Sequence, residues 1–346
     1  MGDKIMNHAA VNPATDEQHR GVLRLASDEM VHPLFILALP RSFSSVVCAM
    51  LGQHPQMYGL PEMQLFGAST LTEWWTHCSH APGPMAHGTL RAVAQLFFGN
   101  QTEQTVRLAR GWLWRRSYFT TGFLLEVLAE RVHPSILVEK SARTIYRLEF
   151  MQRAYTMFPQ ARFIHLVRHP RGYCDSLLKF IKETEAAFGP RPRSNWALQL
   201  ASHSFAPTGK EKRSGNWVLV PERGWHALNM NICKFLKSLP DDQKLIVRGE
   251  DLLRNPDGQL PEVARWIGLR TDKEAIEAMK HPERSPYASY GPPGARFGND
   301  RFFLENPVLR PDRAKPHRLE GPVGWYADGR GFSAQVKRLA NRFGYD

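Results

Sequence analysis

No stretch of the 346-residue chain is apolar for long enough to span a bilayer, and Met1 to Met30 contain no apolar core of the kind a secretory leader carries. Cysteine is scarce. Cys48, Cys78, Cys174 and Cys233 form no CxxC pair and follow no regular spacing, which argues against a disulfide framework or a zinc site. Free thiols in a reducing compartment are expected instead, in a soluble, cytoplasmic protein without a membrane span. The net charge of +12 favours an anionic partner, but no block of five or six basic residues occurs. Zinc-finger spacing, an RNP-type aromatic run and a basic amphipathic helix are missing as well, so nucleic acid is not the expected partner. GxxxxGK[ST] appears nowhere, and no internal repeat or low-complexity tract is present.

What is present is a recurring unit of apolar run, polar turn and helix. Leu34 to Leu39 is too short for a helix and suits a buried parallel strand. It runs into Pro40-Arg41-Ser42-Phe43-Ser44-Ser45, and Val46, Val47, Met50 and Leu51 then follow at helical spacing. Ile136-Leu137-Val138 precedes Glu139-Lys140-Ser141 and an amphipathic stretch from Thr144 to Met157. Phe163 to Val167 precedes Arg168-His169-Pro170 and a helix from about Arg171 to Ala187. Leu245-Ile246-Val247 precedes Arg248-Gly249-Glu250-Asp251 and a helix over Glu262 to Ile267. This alternation predicts an α/β fold of three layers, a central parallel sheet flanked by helices. Ligands of such sheets bind outside the carboxyl ends of the strands, where Arg41, Ser42, Lys140, Arg168 and Arg248 stand.

The expected organisation is a loosely ordered polar segment over residues 1–30 and a single domain over 31–346. Three parts of that domain lack the strand–helix pattern. Residues 66–123 are rich in aromatics (Trp74, Trp75, Trp112, Trp114), whereas 189–221 and 281–330 are rich in Pro and Gly. The first two are expected as acceptor-side insertions and the third as a lid.

The turn at residues 40–45 offers a helix N-terminus, three hydroxyls and one guanidinium, a good seat for a terminal phosphate or phosphosulfate. The same residues also read as a plain helix start with Ser44 as N-cap and a surface arginine. A second site separates these readings: Arg168 ends a strand, and Ser176 follows eight residues later inside the next helix. Together the two motifs resemble those of the sulfotransferase superfamily that uses 3′-phosphoadenosine 5′-phosphosulfate (PAPS), in particular its bacterial and tyrosylprotein-type members. The resemblance extends to Leu51-Gly52-Gln53-His54-Pro55, to the late strand with Glu250-Asp251-Leu252, and to the ending Gly344-Tyr345-Asp346, and so covers roughly residues 31–346. Two positions depart from it. Phe43 stands where the family's loop has Gly, and Gly249 where its late strand has Tyr.

The resemblance implies a P-loop-like nucleotide fold and transfer of a sulfuryl group to a hydroxyl or amine. The products would be a sulfated acceptor and 3′-phosphoadenosine 5′-phosphate (PAP), with PAPS as co-substrate and no metal. It implies that Arg41, Ser42, Phe43, Ser44 and Ser45 hold the 5′-phosphosulfate, and that Arg168 and Ser176 hold the 3′-phosphate. Lys315 resembles a late lysine that closes over the nucleotide. Lys140 matches a lysine placed near the leaving oxygen. Glu62, twenty-two residues after Pro40, matches a catalytic glutamate; small-molecule members use a histidine instead, which leaves His77, His80 and His87 open as the base. His54, His165 and His169 read as structural. The acceptor is expected to be a small molecule of apolar or aromatic character, and neither its identity nor the oligomeric state is legible. A P-loop-type small-molecule kinase and a non-catalytic nucleotide-binding protein are the alternatives, though the kinase lacks its Walker lysine and an Asp pair for magnesium.

Overall fold

Leu34–Ala38 (β1) is buried at all five positions, as expected of a strand with both faces covered. The computed structural model describes residues 32–80, 85–188, 205–207 and 217–346. The segment 1–30, the loop at Pro82-Gly83-Pro84 and most of 189–221 lie outside the described residues. In chain order after β1 come α1 (Ser44–Leu51), β2 (Met57–Gly59), α2 (Leu71–His80), α3 (His87–Phe98), α4 (Glu103–Arg115), α5 (Thr121–Val132), β3 (Ile136–Glu139) and α6 (Leu148–Met157). Next are β4 (Arg162–Val167), α7 (Pro170–Phe188), a short antiparallel pair β5 (Phe205–Pro207) and β6 (Trp217–Leu219), α8 (Pro221–Leu236) and β7 (Lys244–Arg248). The chain ends with α9 (Gly249–Arg254), α10 (Pro256–Ile267), α11 (Lys273–Met279), α12 (Arg301–Glu305) and α13 (Ala334–Arg342).

The central sheet is parallel throughout, in the order β2-β3-β1-β4-β7 with helices around it, the three-layer P-loop-like α/β fold the sequence predicts. Register carries the functional consequence. Ala38 pairs with Leu166 and Val167 with Arg248, so β1, β4 and β7 stop at one edge. The turns that begin at Pro40, Arg168 and Gly249 therefore leave the sheet side by side. Val47, Met50 and Leu51 of α1 pack on β1 and β3 residues in one cluster with Leu252, Leu260 and Val263. Burying each such side chain stabilises the fold by about 1.5–3 kcal/mol.

Several boundaries differ from the sequence reading. The stretch from Thr144 to Met157 is divided into a 3-10 turn (Ala142–Ile145) and α6, because Arg147 adopts extended backbone between them. The helix expected at Glu262 begins at Pro256, a residue suited to the first turn, with the Asn255 side chain accepting from the Gly258 N–H. Ser44 is not the N-cap of α1. Phe43 holds that position, in left-handed backbone and without a side-chain cap.

Residues 66–123 contain α2 to α4 and the start of α5, with Trp74 buried and Trp114 67% exposed, so the aromatic set divides between core and surface. Residues 281–330 form short turns and α12, and Ala288, Phe303 and Leu304 pack onto Ala49 of α1. All four cysteines are free thiols. Among the described residues, no helix is long and apolar enough to cross a membrane, and no group of three or more His, Cys, Asp or Glu could hold a metal ion.

Candidate active site

Left-handed backbone at both Arg41 (φ 70°) and Phe43 (φ 65°) shapes the turn after β1. For a residue with a side chain this conformation costs roughly 1–2 kcal/mol, so its presence twice in three residues means that the surrounding packing holds the turn in place. The Ser42 N–H closes on the Leu39 carbonyl at 3.2 Å, and α1 starts at Ser44. The first N–H groups of a helix have no intrahelical partner, so a start exposed to the strand ends favours an anion.

Arg41 is the hub. Its Nε donates to Ser176 Oγ at 3.3 Å, and its guanidinium pairs with Asp300 and lies over the rings of Phe180 and Phe302. Arg168 donates from NH1 to the Arg41 carbonyl, and its own carbonyl accepts from Trp225 Nε1 at 2.9 Å. The Arg168 Nε is buried without a partner. Burial, partly offset by Glu250, lowers the Arg168 pKa to about 10, which still leaves a cation at neutral pH. The turn after β1 and the end of β4, 127 residues apart in sequence at Arg41 and Arg168, are thus hydrogen-bonded to each other.

At the end of β3, Lys140 is 1% exposed. Its Nζ donates to Ser45 Oγ at 2.8 Å and to Glu62 Oε1 at 2.5 Å. A lysine is seldom buried unless paired, and here the turn after β2 supplies the carboxylate. Gln64 steadies the other oxygen, donating from Nε2 to Glu62 Oε2 at 3.0 Å. Gln64 is itself in left-handed backbone (φ 56°), tied down where its N–H donates to Ser141 Oγ at 2.9 Å. Ser141 in turn donates to Glu139. Burial pushes the Glu139 carboxyl up to about 7, against the lowering effect of Ser141. Gly88 of α3 also abuts this turn; a Cβ there would overlap the Glu62 carbonyl oxygen.

Asp300 completes a continuous chain. Its backbone N–H donates to Ser45 Oγ at 3.2 Å while its carboxylate pairs with Arg41. Ser176, Arg41, Asp300, Ser45, Lys140 and Glu62 are thereby linked, with Arg168 joined at the Arg41 carbonyl. Ser42 is buried and Ser44 half-buried in the same turn.

Lys315 is not in this chain. It lines a neighbouring cleft of about 190 Å³ with His169, Arg248, Glu250, His317 and Tyr345. Of the histidines left open as a base, His87 accepts from the Phe297 N–H at 3.2 Å and stacks on that ring, and burial lowers its pKa to about 4. His77 lies in α2. His54 bonds the Arg270 carbonyl at 3.0 Å, and buried His165 bonds Asn229 at 2.9 Å. His169 accepts the Arg171 N–H at 3.1 Å and lines the cleft. Asp300, Gln64, Ser141 and Glu139 were missed from sequence. The short spacing of Glu139 and Ser141 around Lys140 was the available signal; Asp300 had none.

Two cationic seats at adjacent strand ends suit a ligand carrying two separated anions, and a carboxylate beside a buried ammonium suits proton transfer next to developing negative charge. A family model described as "Sulfotransferase family" matches residues 33–273. Among solved structures, the sulfotransferase domain from the curacin biosynthetic pathway is 18% identical, with 92% of this chain and 99% of that one aligned at a TM-score of 0.69. The sulfotransferase domain from the Synechococcus PCC 7002 olefin synthase is 22% identical, with 93% of this chain and 99% of that one aligned at a TM-score of 0.66. None of the curated proteins compared matches the chain. With a family match over most of its length, and the fold of sulfotransferase domains around hydrogen-bonded strand-end turns, the chain belongs to the sulfotransferase family and is a sulfotransferase enzyme.

Proposed function

We propose that the enzyme transfers a sulfuryl group from PAPS to a hydroxyl or amine of a small-molecule acceptor and releases PAP. The observation that best supports this reading is the hydrogen bond from Arg41 to Ser176, which joins the two proposed anion seats. In this reading the turn from Arg41 to Ser45 and the α1 N-terminus hold the 5′-phosphosulfate, while Arg168 and Ser176 hold the 3′-phosphate. Glu62 takes the acceptor proton as the acceptor oxygen or nitrogen bonds to sulfur. In the same in-line displacement the bond from sulfur to the bridging phosphate oxygen breaks, and Lys140 meets the charge that grows there. The group in flight resembles sulfur trioxide, so positioning and electrostatics supply most of the rate. Lys315 covers the nucleotide from the neighbouring cleft. The acceptor is bound on the side of residues 66–123, where Trp75 and Trp112 are half-buried, and an apolar or aromatic molecule fits such a lining.

Calorimetric titration with PAP, against ATP with Mg²⁺, tests the donor. PAP is expected to bind, and Arg168→Ala to weaken it by ~10–150-fold, the worth of a hydrogen bond to a charged group. Adenosine 5′-phosphosulfate, which lacks the 3′-phosphate, is expected to change less than about threefold, within the scatter of an indirect effect. Binding of ATP alone would overturn the reading.

A further inference from the structure

The turn after β1 carries Phe43, in a conformation glycine adopts most easily, and the start of α9 carries Gly249. The two positions touch. The Arg168 guanidinium carbon lies over the Phe43 ring, 4.2 Å from its centroid. A Cβ placed on Gly249 would stand 2.6 Å from Phe43 Cδ2 and 3.5 Å from Cε2. The ring therefore occupies the volume that any side chain at 249 would need. It is partly buried and packs against the core cluster that includes Val247, Leu252 and Leu253. A guanidinium stacks well on an aromatic face and leaves its N–H groups free in the plane. In Arg168, NH1 donates to the Arg41 carbonyl and Nε is buried without a partner.

We propose that Phe43 is a positioning residue for the nucleotide site: its ring, housed over Gly249, sets the plane of the Arg168 guanidinium against the 3′-phosphate of the donor. The inference rests on the donor reading above. The turn that holds the 5′ end thereby also orients the 3′ seat, and the two ends of the nucleotide are read as one unit. Phe43 and Gly249 form a complementary pair, large on one side because it is small on the other.

The test is a set of variants titrated with PAP and with adenosine 5′-monophosphate, with each variant's Tm measured as a check on folding. Phe43→Leu keeps bulk but loses the aromatic face and is expected to weaken PAP by about 3–30-fold, the range of a partly desolvated cation–π contact. Its effect on the monophosphate, which lacks the 3′-phosphate, is expected to be clearly smaller. Phe43→Tyr keeps the face and is expected to retain PAP affinity, which a purely space-filling role would not require. Gly249→Ala forces the ring aside and is expected to weaken PAP, whereas the same change beside Phe43→Gly is expected to add nothing further. Two results overturn the inference alone: equal losses for PAP and the monophosphate in Phe43→Leu, or additive losses in the double variant. If the wild-type protein does not bind PAP, the donor reading falls and this inference with it.

Discussion

Lys140 Nζ lies 2.5 Å from Glu62 Oε1, although 78 residues separate them. Parallel pairing of β2 with β3 causes the meeting: Gly59 pairs with Val138, so the turn after β2 and the end of β3 emerge together. Neither group could be buried alone without a large desolvation penalty, and each is the other's partner.

If Lys140 serves the leaving oxygen, its loss should appear in turnover. Lys140→Met is expected to lower kcat by ~10²–10³-fold, the usual loss for one donor aimed at developing charge. PAP affinity is expected to move less, and a larger change in affinity than in kcat would assign Lys140 to ground-state binding.

Glu62→Gln keeps the shape and the bond from Gln64 but removes the proton acceptor. Turnover is expected to fall by ~10²–10⁴-fold, as for loss of a general base, with PAP affinity nearly intact. A fully active variant would return His77, His80 and His87 to first place as the base.

Asp300 occupies two groups assigned to the donor, Arg41 and Ser45. Its carboxylate competes with an incoming anion, so Asp300→Asn, which retains an acceptor for the Phe302 N–H at the start of α12, is expected to tighten PAP. For a partly exposed pair worth roughly 1 kcal/mol, the gain is about fivefold. Unchanged or weaker binding would mean that Asp300 orients Arg41 and does not compete with the donor.

Buried Glu139 yields a pH signature. Its pKa is raised from 4.5 to about 7, so the folded protein retains a proton the unfolded chain has lost. The stability associated with that proton is fully present below the unfolded pKa and is lost as pH rises through about 7. Glu139→Gln is neutral at every pH and keeps an acceptor for Ser141. Urea denaturation is expected to find the variant gaining on the wild type between about pH 4.5 and 7, and then holding a constant advantage on the order of 1–3 kcal/mol. A pH-independent difference would show Glu139 to be ionised in the fold.

The two departures from the family pattern are intelligible only together. In sequence, Phe43 and Gly249 are two unrelated exceptions 206 positions apart. In the fold they are neighbours, because Val167 pairs with Arg248 and Ala38 with Leu166, which sets the turns after β1 and β7 on either side of Arg168. The boundary errors have a similar origin. Arg147 breaks a stretch with continuous helical periodicity by taking extended backbone, and periodicity does not report such a break.

The sequence by itself determined the strand–turn–helix alternation, the parallel sheet and the residues at its strand ends, because burial on both faces writes an apolar run and exposed strand ends and helix starts write polar turns after it. Tertiary structure alone decided the partnerships. Arg41 with Ser176, Lys140 with Glu62, Asp300 across Arg41 and Ser45, and Phe43 over Gly249 all depend on strand order and register, which bring distant turns to one edge of the sheet.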